Sequence, residues 1–510
     1  MSADPHRTPG PLARLSAPIV SYTALAALVG VAATLAAFGP DLSGTALLVL
    51  YAAAFLPYAV LLTGAAAAPL APVWYVGAAA AARFPLLFAR PVLSDDIYRY
   101  VWDGRVGHAG INPFAHPPAA DTLAPLRDPS IWPRINHPEV PTIYPPGAQY
   151  LFELNAALGG GVPGLKMLFV AVEVAAVAIA WRWLRDAFDS GTLLFALAAY
   201  ALNPLVFLEV AWSGHLDVVA WGLLVAGLVA WQFGESVRSG FAAAAMLGAS
   251  SAVKFLGLAA LPLILFDDGD PESSARPRWQ RVGALAVALG ILVASYLPFA
   301  GAGGDLFSGF GTYADSWRGN DGGYRLVHET TAAALEAWNE PADPSSDQIL
   351  FDLDALDGVY RTLGWTKEWN GKTIPDTTYS ADELAAIVGK AAAAGTVGLT
   401  LLWCLLLGYR PLEGTALLLL VLYLFAPIVH PWYVAWLVPF AALRARATGL
   451  WFSFTVLAAY LAWRSSELGG PWHVPTWAVS LEYGSVLLAF WLESACRPPV
   501  PTARRERESP

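Results

Sequence analysis

This chain of 510 residues is poor in charge, cysteine and nucleotide-binding motifs. Only 14% of its residues are charged, against about 25% in soluble domains, which excludes a water-soluble globular protein of this size. The two cysteines, Cys404 and Cys496, stand far apart, so neither a disulfide framework nor a cysteine zinc cluster is implied. No HExxH sequence, Walker A motif or dinucleotide glycine fingerprint occurs, so nothing points to a zincin or to a phosphate cradle. No basic face exists to neutralise phosphates in a chain of net charge −10, which excludes a nucleic-acid partner. No internal repeat is visible. The short alternating segments of a membrane β-barrel are also missing.

What is present is apolar: 56% of the residues are hydrophobic. Runs of about 20 apolar residues recur along the chain, each long enough for a hydrocarbon core of roughly 30 Å. The expected fold is an all-α polytopic membrane protein, a bundle of about 14 transmembrane helices with two large external loops. Its expected parts are 1–89, an N-terminal cytoplasmic segment with three spans; 90–146, an external loop; 147–300, the membrane core helices; 301–385, an acidic external loop; 386–492, the C-terminal spans; and 493–510, a cytoplasmic tail. Arg7 and Arg14 place the N-terminus inside, and Arg444, Arg446, Arg497, Arg504, Arg505 and Arg507 mark further cytoplasmic segments. Arg182 and Arg185 break this alternation, so one segment within 147–233 is expected to be re-entrant or non-spanning.

The acidic loop carries 15 Asp and Glu against 5 Lys and Arg between Gly301 and Ala385. Its aromatic residues suggest a partly folded external cap, with 345–363 and 380–394 as candidate helices. The second would continue into the next span.

The densest chemistry lies just after the third apolar run, in SDDIYRYVWDGR. No proline interrupts 94–108, and Ser94 is a good N-cap. On a helix Asp96, Arg99 and Asp103 share one face, while Tyr98, Trp102 and Arg105 form another. Such a helix is expected to lie along the membrane interface. Asn112 follows in GINPF, His137 in INHP and Tyr144 in YPPGAQ. Glu209, His215 and Asp217 interrupt an apolar stretch in NPLVFLEVAWSGHLD. Ionisable groups there must be paired or line a cavity. Lys254 is a lone cation in SSAVKF. Arg318 and Asn320 lie in YADSWRGND, and His430 stands beside a proline in HPWY, at the outer end of a span.

Together these segments resemble the bacterial and archaeal membrane mannosyltransferases that use polyprenyl-phosphate sugars, within the GT-C superfamily. The resemblance spans about residues 90–440. In that superfamily the first external loop carries an acidic catalytic motif, which maps here onto Asp95 and Asp96. The resemblance therefore implies an inverting transfer of a hexose, mannose above all, from a polyprenyl-phosphate donor to a glycan or glycolipid acceptor. The reaction would take place on the non-cytoplasmic face of a multi-pass plasma-membrane protein, in contact with membrane lipid. One of the two aspartates would take the acceptor proton. Arg99, Lys254, His215 and Arg318 are the candidates for the donor phosphate. Tyr98, Trp102, Arg105, Asn112, His137, Tyr144, Asp217, Asn320 and His430 are the candidates for the remaining substrate contacts. No cofactor is assigned, and a loosely held divalent cation at Asp95 and Asp96 stays open. The competing class is a lipid-linked sugar flippase or transporter, built on inverted repeats and broken helices.

Overall fold

The computed structural model describes residues 11–67, 69–269, 276–338, 350–352, 366–369, 372–375, 378–469 and 472–496. Helices dominate. The first four are α1 (Pro11–Phe38), α2 (Gly44–Ala53), α3 (Phe55–Ala67) and α4 (Pro72–Phe88). The segment after them holds α5 (Asp96–His108) and short 3-10 turns, and ends at α6 (Pro146–Ala157). Next come α7 (Gly161–Ala187), α8 (Ser190–Ala201), α9 (Pro204–Phe207) with a π-helical turn over Leu208–Ser213, α10 (Asp217–Phe233) and α11 (Val237–Val253). A 3-10 turn (Phe255–Ala260) leads to α12 (Leu261–Leu265), followed by α13 (Arg278–Tyr296), α14 (Ser308–Ser316) and α15 (Gly322–Trp338).

Among the described residues four short strands interrupt the helices: β1 (Leu350–Asp352), β2 (Thr366–Trp369), β3 (Lys372–Pro375) and β4 (Thr378–Ser380). They form two antiparallel pairs, β1 with β4 and β2 with β3. The chain then runs through α16 (Ala381–Leu406), α17 (Pro411–Phe425), α18 (Pro431–Val434), α19 (Val438–Arg444), α20 (Ala447–Thr455), α21 (Tyr460–Glu467) and α22 (Thr476–Cys496). One continuous apolar core reaches from α1 to α22.

The protein is an all-α membrane protein. Among the described residues, five stretches are long and apolar enough to cross a bilayer: Pro18–Asp41, Gly44–Ala65, Gly161–Ala187, Arg278–Ser316 and Ala381–Leu406. A sixth arises if Ser190–Ala201 and Pro204–Ser213 are one span bent by 49°. This bend falls in the stretch where the basic loops cease to alternate. Helix length and composition do not reach the fourteen spans expected from hydropathy. Several apolar runs are cut at Asn203–Pro204, at Lys254 and at His430–Pro431. Proline lacks the amide hydrogen, and it pushes the residue before it out of the helical region.

In the acidic segment, the helix expected over 380–394 forms as part of α16. It opens on a capping box, in which Ser380 Oγ accepts from the Glu383 amide and Glu383 accepts from the Ser380 amide. The helix expected over 345–363 does not form at Leu350–Asp352, which pairs as a strand with Thr378–Ser380. The rest of that segment is outside the described residues, apart from the same three.

A buried ion pair ties α4, α7 and α8 together. Arg83 of α4 makes a two-pronged contact with Glu173 of α7 at 3.1 and 2.9 Å, and donates at 2.7 Å to the carbonyl of Ala201 at the end of α8. Both side chains are under a tenth exposed. Removing one partner leaves an uncompensated buried charge, so Glu173→Ala is expected to destabilise by about 3–5 kcal/mol. A double replacement, Arg83→Met with Glu173→Leu, should lose much less. Thermal unfolding of the detergent-purified variants checks both expectations.

Candidate active site

The paired acids sit where α5 begins. Ser94 does act at the helix start: its hydroxyl accepts from the Asp96 amide at 3.3 Å. The N-cap residue itself is Asp95, whose carboxylate makes no capping bond. Both carboxylates turn instead to Asn136, which donates to Asp95 Oδ1 at 2.7 Å and to Asp96 Oδ1 at 3.3 Å. Asp95 is exposed, whereas the Asp96 side chain is only 21% exposed.

Unlike the interfacial helix expected from its sequence, α5 is buried on nearly all sides from Ile97 to Gly104. It packs closely on α6, where a Cβ at Gly104 would come within 2.2 Å of the Phe152 carbonyl oxygen. Its charges are consumed internally. Arg99 binds Asp103 at 2.8 Å and the Val140 carbonyl at 2.9 Å, so its guanidinium is already engaged. Trp102 is fully buried against Trp132.

The second wall of the site is the turn between α9 and α10. Gly214 adopts φ +75°, and a Cβ there would lie 2.3 Å from Ile97 Cδ1, so only glycine brings this turn against α5. The turn delivers His215. Its Nδ1 lies 3.8 Å from Asp96 Oδ2 and its Nε2 lies 3.4 Å from Glu209 Oε2. The imidazole stacks on Trp432, with centroids 3.8 Å apart. Glu209 is fully buried and accepts from Tyr51 at 3.1 Å and from Tyr460 at 2.5 Å.

The third wall forms where the helix after α11 breaks. Lys254 is extended (φ −147°, ψ 135°), and its ammonium reaches both oxygens of Asp217 at 2.8 Å. Asp217 also accepts from Trp436 Nε1 at 2.9 Å. The ammonium lies 4.8 Å from the ring of Tyr433, whose hydroxyl meets that of Tyr313 at 2.6 Å. His430 stacks on Trp432 at 4.3 Å.

Asp96 therefore titrates under opposed influences. Loss of solvent pushes its carboxyl up most strongly and the charge of Asp95 adds to this, while Lys254 and Asn136 pull it down; the result is about 7. It can exchange a proton near neutral pH.

Of the residues singled out in the sequence, Asp95, Asp96, His215, Asp217, Lys254 and His430 come together. The others lie apart from this cluster or in its supports. Tyr98 lies under Arg134, and Arg105 binds Asp128. Asn112 donates to the Phe299 carbonyl, and Tyr144 packs edge-on against Tyr100. His137 has φ +44° and packs edge-on against Trp317. Arg318 faces His328 and Asp382, while Asn320 binds Glu482 and the Val429 carbonyl. Sequence reasoning passed over Asn136, Trp432 and Tyr433, each directly beside a residue it chose or within the same motif. Glu209 carried a signal as an acid in an apolar run.

Asp95 and Asp96 offer two carboxylate groups. No group of three or more His, Cys, Asp or Glu able to hold a metal occurs among the described residues.

An all-α membrane protein with paired acids, a half-buried cation and stacked aromatics at one end of broken helices is the class so defined. Two family descriptions match the chain: the N-terminal domain of alpha-(1->6)-mannopyranosyltransferases over residues 13–266, and the MptB C-terminal domain over 369–492. The chain belongs to this mannosyltransferase family. It is 24% identical over 420 residues to an alpha-(1->6)-mannopyranosyltransferase of Mycobacterium tuberculosis. It is 25% identical over 375 residues to alpha-(1->6)-mannopyranosyltransferase A of the same organism, and 25% over 390 residues to a probable alpha-(1->6)-mannopyranosyltransferase of Mycolicibacterium smegmatis. Each match covers 71% of this chain and 64% of the relative, so the chain spans less than two thirds of the length of these proteins. No solved structure matches it.

The electrostatics make a direct prediction. Lys254→Gln removes the cation that favours ionised Asp96, so the Asp96 titration should move to a pH above about 7. The pH dependence of carbodiimide labelling at Asp96, read by mass spectrometry, measures this shift.

Proposed function

We propose that the chain transfers a mannosyl unit from a polyprenyl-phosphate donor to a hydroxyl of a glycan or glycolipid acceptor. The transfer inverts the sugar and takes place on the non-cytoplasmic face of the plasma membrane, in a multi-pass GT-C-like bundle of about 14 spans. The reading is supported by the family, and above all by one observation: a half-buried carboxylate with a raised pKa lies close to a cation at the end of an apolar bundle.

In this reading Asp96 is the base. As the acceptor oxygen bonds to the sugar C1, its proton passes to the Asp96 carboxylate. The C1–oxygen bond to the phosphate breaks, and the lipid phosphate leaves with that electron pair. Lys254 offers the positive charge that steadies the leaving phosphate, and Asp217 holds it in place. Asp95 and Asn136 orient Asp96. His215 lies between Asp96 and Glu209, where its contacts suit positioning better than phosphate binding. Arg99 and Arg318, engaged elsewhere, drop behind Lys254 as phosphate ligands.

Asp96→Asn should lower transfer from polyprenyl-phosphate mannose by about 10²–10⁴-fold, and Asp95→Asn should lower it less. Below about pH 7 Asp96 is protonated and cannot accept a proton, so kcat/KM should rise with pH through that value. A flat profile, or full activity in the Asp96 variant, overturns the base assignment. Broken helices with buried ions also occur in transporters. Movement of the labelled lipid between leaflets without glycan product would favour a flippase instead.

A further inference from the structure

Three buried polar atoms without a hydrogen-bond partner stand in one row leading inward from Asp96. They are Nδ1 and Nε2 of His215 and Oε2 of Glu209. The row begins at Asp96 Oδ2, 3.8 Å from Nδ1, and ends at Glu209 Oε2, 3.4 Å from Nε2. The first gap exceeds any hydrogen bond and the second is long, but such contacts in a free enzyme often tighten in the substrate complex. The row is held from both sides. Trp432 stacks on the imidazole, and Tyr51 and Tyr460 both donate to Glu209 Oε1, which leaves Oε2 for His215. Both side chains are buried, and leaving such groups unpaired is costly.

A neutral imidazole has one N–H and one lone pair. Between two carboxylates it donates to one, and its bare nitrogen then meets the oxygens of the other. One more proton removes that conflict. On Glu209, it lets Oε2–H donate to Nε2 while Nδ1–H donates to ionised Asp96. On Asp96, it lets Oδ2–H donate to Nδ1 while Nε2–H donates to ionised Glu209. Either arrangement pairs every atom of the row. The ionisable groups around it have their own places. Asp95 and Lys254 act on Asp96, Lys254 and His430 face His215, and Tyr51, Tyr460 and Asp217 surround Glu209. Lys254 is bound by Asp217. Lys166 of α7, whose stem lies beside Gly214, gives its ammonium to the carbonyls of Leu86 and Ala89, and Arg83 of α4 is taken by Glu173.

We propose that Asp96, His215 and Glu209 share one proton along this row, and that Glu209 holds it whenever Asp96 is the ionised base. Moving the proton to Asp96 breaks the Glu209 O–H and His215 Nδ1–H bonds as the Nε2–H and Asp96 O–H bonds form. The imidazole stays neutral, the net charge is unchanged and no other reactant takes part. The titration of Asp96 then belongs to the row and not to one carboxyl. His215 and Glu209 are positioning residues, which act on the reaction through Asp96. The role of Asp96 as base rests on the mannosyl-transfer reading; the shared proton does not.

The test uses full-length protein in detergent and reads the pH midpoint of carbodiimide labelling at Asp96 by mass spectrometry, with no substrate present. Glu209→Gln keeps the side-chain shape. Its amide oxygen accepts from the two tyrosines and its NH₂ donates to Nε2, which pins the N–H of His215 toward Asp96. The midpoint should therefore fall by about one pH unit. His215→Phe keeps a ring on Trp432 and cuts the row, so adding Glu209→Gln in that background should shift the midpoint much less. No shift with Glu209→Gln, or an equal shift in the His215→Phe background, overturns the proposal. Should Glu209→Gln not fold, Tyr460→Phe removes one hydrogen bond that favours ionised Glu209; it should lower the midpoint too, and an unmoved midpoint there is equally fatal. Transfer from polyprenyl-phosphate mannose, measured separately, tells the two readings apart. A labelling shift in a protein whose wild type transfers nothing leaves the shared proton standing and removes the transferase reading. Transfer with no labelling shift does the reverse.

Discussion

The structure depends on how it keeps charge inside an apolar bundle. Asp217 is fully buried, and an isolated carboxylate there would be prohibitively costly to desolvate. It is stabilised by Lys254 on one side and by the Trp436 indole on the other. That requirement dictates local backbone. An unbroken helix through 253–255 would continue α11 past Lys254, whereas the extended backbone at Lys254 lets its ammonium reach the start of α10. The same contact draws in Trp436, just beyond α18, so one pairing fixes three parts of the chain that are distant in sequence.

Around this pair the polar groups grade from buried to exposed. Glu209 is held by two tyrosine hydroxyls with no solvent contact, Asp96 is half-covered, and Asp95 is open. Neighbouring acids in one loop thus become chemically distinct: burial and the charge of Asp95 raise Asp96 to about 7, a value suited to proton exchange near neutrality. Gly214 lets the His215 turn press on Ile97, and the imidazole then comes within 3.8 Å of the Asp96 carboxylate.

How much of this was legible in the sequence varies with the range of the interaction. The all-α membrane class followed from composition, and the acidic pair from its position after a long apolar run. The capping box at Ser380 was local, so the helix over 380–394 was legible too. Partnership was not. Arg99 looked like a companion of Asp96 by helical spacing, but i to i+4 geometry serves Asp103 equally well and Val140 completes the choice. Among the described residues the helices long enough to cross a bilayer are fewer than the spans expected from hydropathy, because the breaks at Asn203, Lys254 and His430 divide apolar runs into shorter helices. Asn136 was missed beside His137 because nothing local distinguishes a loop asparagine that meets a carboxylate forty positions away from one that faces water.

These breaks explain why the polar groups collect at one end of the bundle. A continuous helix satisfies its own backbone and offers only side chains to its neighbours, whereas a broken one also frees the direction of the chain. At Lys254 the break redirects a cation, at His430 it begins a short helix whose first aromatic residue stacks on His215, and after Asn203 the π-helical turn carries Glu209 inward. Inserted helical turns of this kind are frequent at functional sites. In lipid such irregular backbone is tolerated only when covered by protein or lining a cavity. The residues at all three breaks are at least partly covered by protein. The lost helical hydrogen bonds are thereby offset locally, and the same irregularities that shorten the apparent spans assemble the charged and aromatic surfaces of the site.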